Sequence, residues 1–360
     1  MLLALVDLAL ETGMAVRVLL PDDTPDGWLS GQLRARAVEV RKGPLAPARR
    51  RYLGPRQLPG YGLALIRAVR FLLSEAARCN PEVIHVNTST VIAAASLGRR
   101  EGRRLVWHVH EIQSRPRAVA WALRVLPLLA ADDIIAVSDA VRRSLRSGRF
   151  QRANIYRIYD AMPPRPCAAP AMLDERTTRC VFAGRISERK GYDLFVDAAA
   201  DIAPSFPSVQ FLLAGVPAPG EEWRMEALHR QIAQRGISDR TEVLGMRDDL
   251  ATLFDAADVA VFPSRLPEGF GLAMAEAMRS GCAVISTNHG AASEIVTDGV
   301  SGLLVAPCDR RALAEALQRL LADTPLRERL AEVGRDHVIR AFSDAAFAIS
   351  VRAVWEGHGG

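Results

Sequence analysis

The chain has 360 residues, 49% of them hydrophobic and 24% charged, with a formal net charge of +5, which is ordinary for two globular domains with separate cores. Its five cysteines are scattered, with no CxxC pair and no clustered histidines, which argues for a reducing compartment and against a zinc site. No stretch reaches the roughly 18 to 20 uncharged apolar residues that cross a bilayer, so a soluble, cytoplasmic protein is expected.

The opening Met1-Leu-Leu-Ala-Leu-Val-Asp-Leu-Ala-Leu10 has no basic residue before it and is interrupted by Asp7, so it reads as an amphipathic helix to about Thr12, not a signal peptide. A strand at Ala15 to Leu20 follows, then a short helix after Gly27 and a strand near Ala37 to Val40. A βα domain normally starts on a strand, so the first strand of this half is expected to be missing. Between Arg34 and Arg56 eight basic residues (Arg34, Arg36, Arg41, Lys42, Arg49, Arg50, Arg51, Arg56) stand against Glu39 alone. The run reads either as a solvated loop or as an electropositive surface for anionic lipid or a phosphate-bearing acceptor. Nucleic acid is not the expected partner, because Tyr52 is the only stacking aromatic in the run.

Helix Leu63 to Arg78, strand Val83 to Val86, helix Ser89 to Leu97 and strand Leu105 to Val109 alternate as in a parallel sheet with helical crossovers. His110 and Glu111 stand where the last of these strands runs out, at the edge where such sheets bind ligands. His85 and His108, inside strands, read as packing residues. An apolar helix at Arg117 to Ala131 carries Trp121, and strand Asp133 to Val137 meets Ser138-Asp139, an N-cap for a helix through Leu145. Strand Ile155 to Ile158 leads into the proline-rich linker Asp160 to Pro170.

A second series follows: strands at Arg179 to Ala183, Val209 to Ala214, Thr241 to Leu244, Val259 to Phe262, Ala283 to Ser286 and Gly302 to Val305. The helices between them run over Tyr192 to Ala200, Glu221 to Arg235, Leu250 to Ala256 and Leu272 to Ser280, the last ended by Gly281. Helices Arg310 to Ala322, Pro325 to Ala341 and Phe342 to Glu356 close the chain.

Two loops of this half carry chemistry. Gly184-Arg185-Ile-Ser-Glu-Arg-Lys190-Gly191 places a guanidinium and an ammonium beside a helix start, and Lys190 is one of only two lysines in the chain. The pair suits a diphosphate, though such surface cations can equally be solvated. Pro263 to Gly271 turns from a strand into a helix, where free backbone N–H groups hold phosphate. Glu268 precedes that helix. Glu276, in its second turn among apolar neighbours, either meets the vicinal hydroxyls of a ribose or pairs with Arg279. Gly60-Tyr-Gly62 and Gly269-Phe-Gly271 both lack the third glycine of GxGxxG, which speaks against a nicotinamide oxidoreductase.

Gly184-Arg185 with Lys190-Gly191, Glu268-Gly-Phe-Gly271 with Glu276, His289-Gly290, Glu294-Ile-Val, Asp298-Gly299 and Gly302-Leu-Leu-Val together resemble glycosyltransferase family 4, a retaining group. The resemblance covers the second half strongly and the first half weakly. It implies an α/β chain of GT-B architecture, with two Rossmann-like doubly wound domains facing across a cleft. Residues 1–165 would bind the acceptor, residues 166–341 the nucleotide sugar, and the helix at 342–360 would return to the first domain. The donor substrate would be a nucleoside-diphosphate sugar, used by a hexosyltransferase-type enzyme with no metal or other cofactor. Arg185 and Lys190 would grip the diphosphate, Glu276 the ribose, and Glu268 a hydroxyl of the sugar. Gly271 and Leu272 would offer backbone, Gly184, Gly269 and Phe270 would complete the donor-binding set, and Met246 would border the base. His110 resembles the family's histidine near the transferred sugar.

The implied reaction keeps the anomeric configuration by a front-face path, the leaving phosphate helping to deprotonate an acceptor hydroxyl. The basic, apolar first half suits a lipid-linked or surface-polysaccharide precursor and peripheral contact with the inner face of a membrane. A GT-B epimerase and a non-catalytic nucleotide-sugar-binding protein share the same motifs. Family members ordinarily open with a strand and a glycine-rich loop before the first helix; either the start lies upstream of Met1, or this chain lacks that loop.

Overall fold

In the computed structural model, residues 1–23, 27–49, 57–98, 102–113, 117–145, 152–162 and 177–358 are described. The chain divides into two units, Met1–Pro163 with Asp344–Gly360, and Pro164–Ser343. The proline-rich linker from residue 163 onward, and Arg50, Arg51, Tyr52 and Arg56 of the basic run, lie outside the described residues.

The first unit begins with α1 (Leu2–Glu11), β1 (Arg17–Pro21), α2 (Trp28–Ala35) and β2 (Glu39–Gly43). It continues through α3 (Leu58–Cys79), β3 (Val83–Val86), a 3-10 segment at Ile92–Leu97, β4 (Arg104–Val109), α4 (Arg117–Ala130), β5 (Asp133–Ala136), α5 (Asp139–Leu145) and β6 (Asn154–Arg157). Two sequence expectations shift here. The helix expected from Leu63 starts at Leu58, because Pro59 fits the first turn of a helix, where its missing N–H costs nothing. The α-helix expected over Ser89 to Leu97 is the shorter 3-10 segment. Ser138 caps α5, its hydroxyl accepting from Val141 N at 3.0 Å.

Among the described residues the strand pairs of this unit are parallel and fall into two sheets, β1-β2 and β3-β4-β5-β6. Consecutive residues of β1 (Arg17 to Pro21) and β3 (Val83 to Val86) line one cavity of about 540 Å³, so two strand edges flank it. Leu5, Leu8 and Ala9 of α1 pack with Val106, Ile135, Phe347, Val351 and Trp355, which brings the first helix and the last onto the four-stranded sheet.

The second unit runs β7 (Thr178–Ala183), α6 (Tyr192–Ile202), β8 (Val209–Ala214), α7 (Trp223–Gln234), β9 (Thr241–Gly245), α8 (Leu250–Asp255) and β10 (Val259–Phe262). Then come α9 (Leu272–Ser280), β11 (Ala283–Thr287), α10 (Ala292–Ile295), β12 (Leu303–Val305), α11 (Arg310–Ala322) and α12 (Thr324–Ala341). The last helix, α13 (Asp344–Glu356), belongs to the first unit. Val259, Ala260 and Val261 are fully buried, as expected of a parallel strand covered by helices on both faces.

The six strands pair in parallel in the order β12-β11-β10-β7-β8-β9. Read from β9, the strands stand third, second, first, fourth, fifth and sixth in chain order, which is the doubly wound arrangement. Chain direction along the sheet reverses between β7 and β10. The loops leaving those two neighbouring strands therefore diverge and leave a crevice at the carboxyl edge, where open α/β sheets bind ligands.

Phe195 of α6 is fully buried, with its ring between those of Phe182 and Phe211 at centroid distances of 6.1 and 6.2 Å. Phe195→Ala should lower the unfolding free energy by about 3–5 kcal/mol, measured by denaturant titration of the folded chain.

Candidate active site

The crevice is built by loops that approach more closely than side chains allow. A Cβ at Gly191 would overlap the Pro263 carbonyl oxygen, and one at Gly290 would overlap the backbone of Glu268. Only glycine lets three loops, after β7, β10 and β11, lie against one another. Backbone bonds then stitch them: Arg265 N donates to Arg189 O at 2.8 Å, and Ala291 N to Glu268 O at 3.1 Å.

That stitching sets the central ion pair. Lys190 Nζ donates to Glu268 Oε2 at 2.9 Å, and Ser264 Oγ donates to Glu268 Oε1 at 2.8 Å. Thr287 Oγ1 donates to Ser264 O at 2.8 Å, fixing the backbone that carries that serine. Burial pushes the Glu268 carboxyl upward, but the charge and hydrogen bond of Lys190, the charge of Arg189 and the Ser264 hydroxyl outweigh it and hold the group below its ordinary value.

A cavity of about 220 Å³ opens beside this pair, lined by Lys190, Glu268, Phe270, Gly271 and Leu272 together with Ser264, Thr287 and His289. Leu272 starts α9, whose N-terminus no side chain caps. The first N–H groups of a helix have no partner within it, and its dipole is positive at that end. An ammonium and a helix N-terminus thus converge on one small hollow, an arrangement that suits an anion.

The remaining sequence candidates are placed less centrally. Gly184 and Arg185 follow β7 and Met246 follows β9, all at the carboxyl edge of the sheet, but none lines the cavity; Arg185 and Met246 are exposed. Gly269 precedes the helix and is buried outside the lining. Glu276 is also outside it, yet it lies one helical turn beyond Leu272 on the same face of α9, about 5–6 Å further along. Burial raises its carboxyl above the ordinary value, with the Arg279 charge offsetting part of the effect. Sequence reasoning did not assign Ser264, Thr287 or a role for His289. Both His289 ring nitrogens are buried without a hydrogen-bond partner, and no spacing in the sequence signalled that.

In the first unit His110 follows β4, as expected. Its Nδ1 lies 3.4 Å from Asp160, and its Nε2 lies 2.9 Å from Asn87 Oδ1, to which it donates. His85 and His108, read from the sequence as packing residues, are hydrogen-bonded to each other at 3.2 Å beside it. His108 Nε2, His110 Nδ1 and an Asp160 oxygen lie within 4.8 Å of one another, the one such group among the described residues with the spacing of a cation site.

The sequence matches Glycosyltransferase Family 4 over residues 4–164 and Glycosyl transferases group 1 over residues 170–337. The chain belongs to glycosyltransferase family 4. It is 34% identical over 174 residues to the lipopolysaccharide core biosynthesis mannosyltransferase LpsB of Rhizobium meliloti, a match covering 48% of each chain. It is 32% identical over 229 residues to the phosphatidyl-myo-inositol mannosyltransferase of Mycobacterium leprae, covering 62% of this chain and 58% of that one. The chain spans about half the length of the curated relatives it matches.

Among solved structures, Anabaena HepE in complex with UDP and glucose matches with a TM-score of 0.81 at 23% identity, over 98% of this chain and 95% of that one. Sucrose-phosphate synthase from Thermosynechococcus elongatus matches with a TM-score of 0.79 at 24% identity, over 97% and 90%. The fold is that of the GT-B glycosyltransferases.

Glu276 supplies a test that needs no ligand. A carboxyl with a raised folded pKa contributes stability below its unfolded value of 4.5 and loses it as pH rises through the folded value, so the ionised group is a net cost at neutrality. Glu276→Gln should therefore raise Tm at about pH 7, with the gain fading toward about pH 4, in thermal melts across that range.

Proposed function

We propose that this chain transfers a sugar, with retention, from a nucleoside diphosphate to an acceptor hydroxyl in the synthesis of a surface polysaccharide or glycolipid. The observation that carries the reading is the Lys190–Glu268 pair in the hollow at the N-terminus of α9, at the point where the sheet reverses. The relatives named for mannosyl transfer to lipopolysaccharide core and to phosphatidylinositol support the acceptor class. The HepE complex with UDP and glucose supports a nucleotide-sugar donor.

In this reading Lys190, with Arg185 at the rim, faces the diphosphate. Negative charge builds on the phosphate oxygens as the glycosidic bond breaks, so a fixed ammonium and the α9 dipole stabilise the transition state more than the bound donor. Glu268, kept ionised by Lys190 and Ser264, accepts from a sugar hydroxyl. Gly271, Leu272 and their neighbours Gly184, Gly269 and Phe270 form the donor contact, Glu276 takes the ribose hydroxyls, and Met246 borders the base. His110 of the first unit acts near the transferred sugar. No step calls on a metal, since these cations carry the leaving-group charge.

A thermal-shift panel of uridine, guanosine and adenosine diphosphate sugars should show one class stabilising the fold, because a ligand of the native state raises Tm with its affinity. With that donor, Lys190→Ala should cut turnover by about a hundredfold while the protein stays folded. Full turnover in that variant removes Lys190 from the reaction. Donor binding with no nucleoside diphosphate released for any acceptor points instead to a non-catalytic binding protein.

The first unit carries a surface suited to a lipid-linked acceptor. Leu58, Leu63 and Ile66 of α3 are exposed, beside the exposed Arg67 and Arg70. An apolar patch with basic neighbours on one helix suits an anionic bilayer surface. No described helix is long and apolar enough to cross a membrane. Co-sedimentation should be stronger with phosphatidylglycerol vesicles than with phosphatidylcholine vesicles and weaken with salt, and Leu63→Asp with Ile66→Asp should abolish it; equal pelleting of the double variant sinks the membrane reading.

A further inference from the structure

The two sheets of the first unit face each other across one cavity of about 540 Å³, lined by every residue of β1 and every residue of β3. Among the described residues β1 pairs only with β2 and β3 only with β4, so the edge that each turns to the cavity has no strand partner.

The two edges run in the same direction. Beyond their carboxyl ends Ala48 N, in the segment after β2, donates to Thr90 O, in the segment after β3, at 2.9 Å. At the opposite end Arg17, which opens β1, reaches Cys79 and Glu75 of α3, the helix that leads into β3. Across the cavity the strands therefore read β2, β1, then β3, β4, β5, β6, and chain direction along them reverses between β1 and β3. In the second unit the strand at the reversal is β7, the first of its sheet, and the helix after it leads to β8 at its side.

Helix α1 lies over the corresponding place in the first unit. Leu2, Leu5, Val6 and Ala9 line the cavity. Leu5 and Ala9 pack with Val106 of β4 and Ile135 of β5, while Val6 packs with Val18 of β1. A helix that bridges two parallel edges in this way and then feeds β1 has the position of a βαβ crossover, whose first strand lies beside its second.

The walls decide what chemistry fits. Leu72 of α3 and Leu97 of the 3-10 segment join α1 in an apolar lining, which would also suit an acyl chain. An acyl chain, however, leaves the N–H and C=O groups of both strand edges without partners, and shielded backbone groups of that kind are costly. An extended peptide answers both edges at once, since it offers donors and acceptors on its two sides at a rise of about 3.3 Å per residue. Covered on both faces, it needs apolar side chains throughout.

We propose that this cavity seats one further parallel strand, about as long as β1 and β3, apolar on both faces and joined by a short loop to the start of α1. Its carboxyl end leaves beside Asn87 and Thr88, which follow β3 and line the same cavity. Asn87 Oδ1 accepts from His110 Nε2, so the loop into α1 borders His110. The proposal concerns the fold of the first unit and stands apart from the sugar-transfer reading.

Hydrogen exchange read by mass spectrometry tests it. In the 360-residue chain, residues 17–21 and 83–86 should exchange faster than β4 and β5. An extension of five β-branched residues and a four-residue Gly-Ser loop ahead of Met1 should slow both segments by about tenfold and raise Tm. The same extension with proline at alternate strand positions, which cannot donate to either edge, should do neither. Residues 17–21 and 83–86 as protected as β4 in the unextended monomer overturn the proposal, and that measurement needs no variant. Equal exchange with the two extensions also overturns it. Protection that appears only as the unextended chain dimerises assigns the cavity to a second copy, and a Tm gain from dodecyl maltoside as large as that from the apolar extension assigns it to an acyl chain; either result overturns the strand.

Discussion

The Lys190–Glu268 contact is the interaction on which the rest of the second unit depends. The two residues are far apart in the chain and come from loops on neighbouring strands, yet their side chains meet at 2.9 Å. That requires β7 and β10 to be adjacent, their loops to diverge at the reversal of the sheet, and Gly191 to let the Pro263 carbonyl lie against it. The same packing leaves Glu268 largely shielded from water, which is costly for a carboxylate unless cations and hydroxyls satisfy it. Lys190, Arg189 and Ser264 do so, and the loop is held as a consequence.

The two acids near α9 show opposite electrostatics. Glu268 has an ammonium at its side and is held ionised, whereas at the half-buried Glu276 burial outweighs the charge of Arg279. A raised carboxyl on an otherwise apolar helix face weakens the free protein. A ligand that offered hydroxyl donors to it would recover that loss. The ribose role proposed for Glu276 draws its physical sense from this imbalance.

The first unit reaches its own site differently. His85 and His108 are joined by a hydrogen bond whose direction is set by the Trp355 indole, which can only donate. Burial keeps both rings neutral, so the arrangement orders protons without adding charge to the core. Trp355 and His85 are distant in sequence, and no motif connects them.

Sequence alone determined the alternation of strand and helix, the family, and the loops that carry Lys190, Glu268 and His110, because short apolar runs, glycines and caps are local signals. Ser138 as a cap and Gly281 as a helix end were legible for the same reason. Tertiary structure decided what those loops share. It put Lys190 and Glu268 in one hollow, left Arg185 and Met246 exposed and outside it, and brought in Ser264, Thr287 and His289. It also split the strands of the first unit into two sheets and turned His85 and His108 from packing residues into a hydrogen-bonded pair beneath His110. The physical reason is that burial, loop approach and the direction of a hydrogen bond depend on neighbours distant in the chain, which no local pattern encodes.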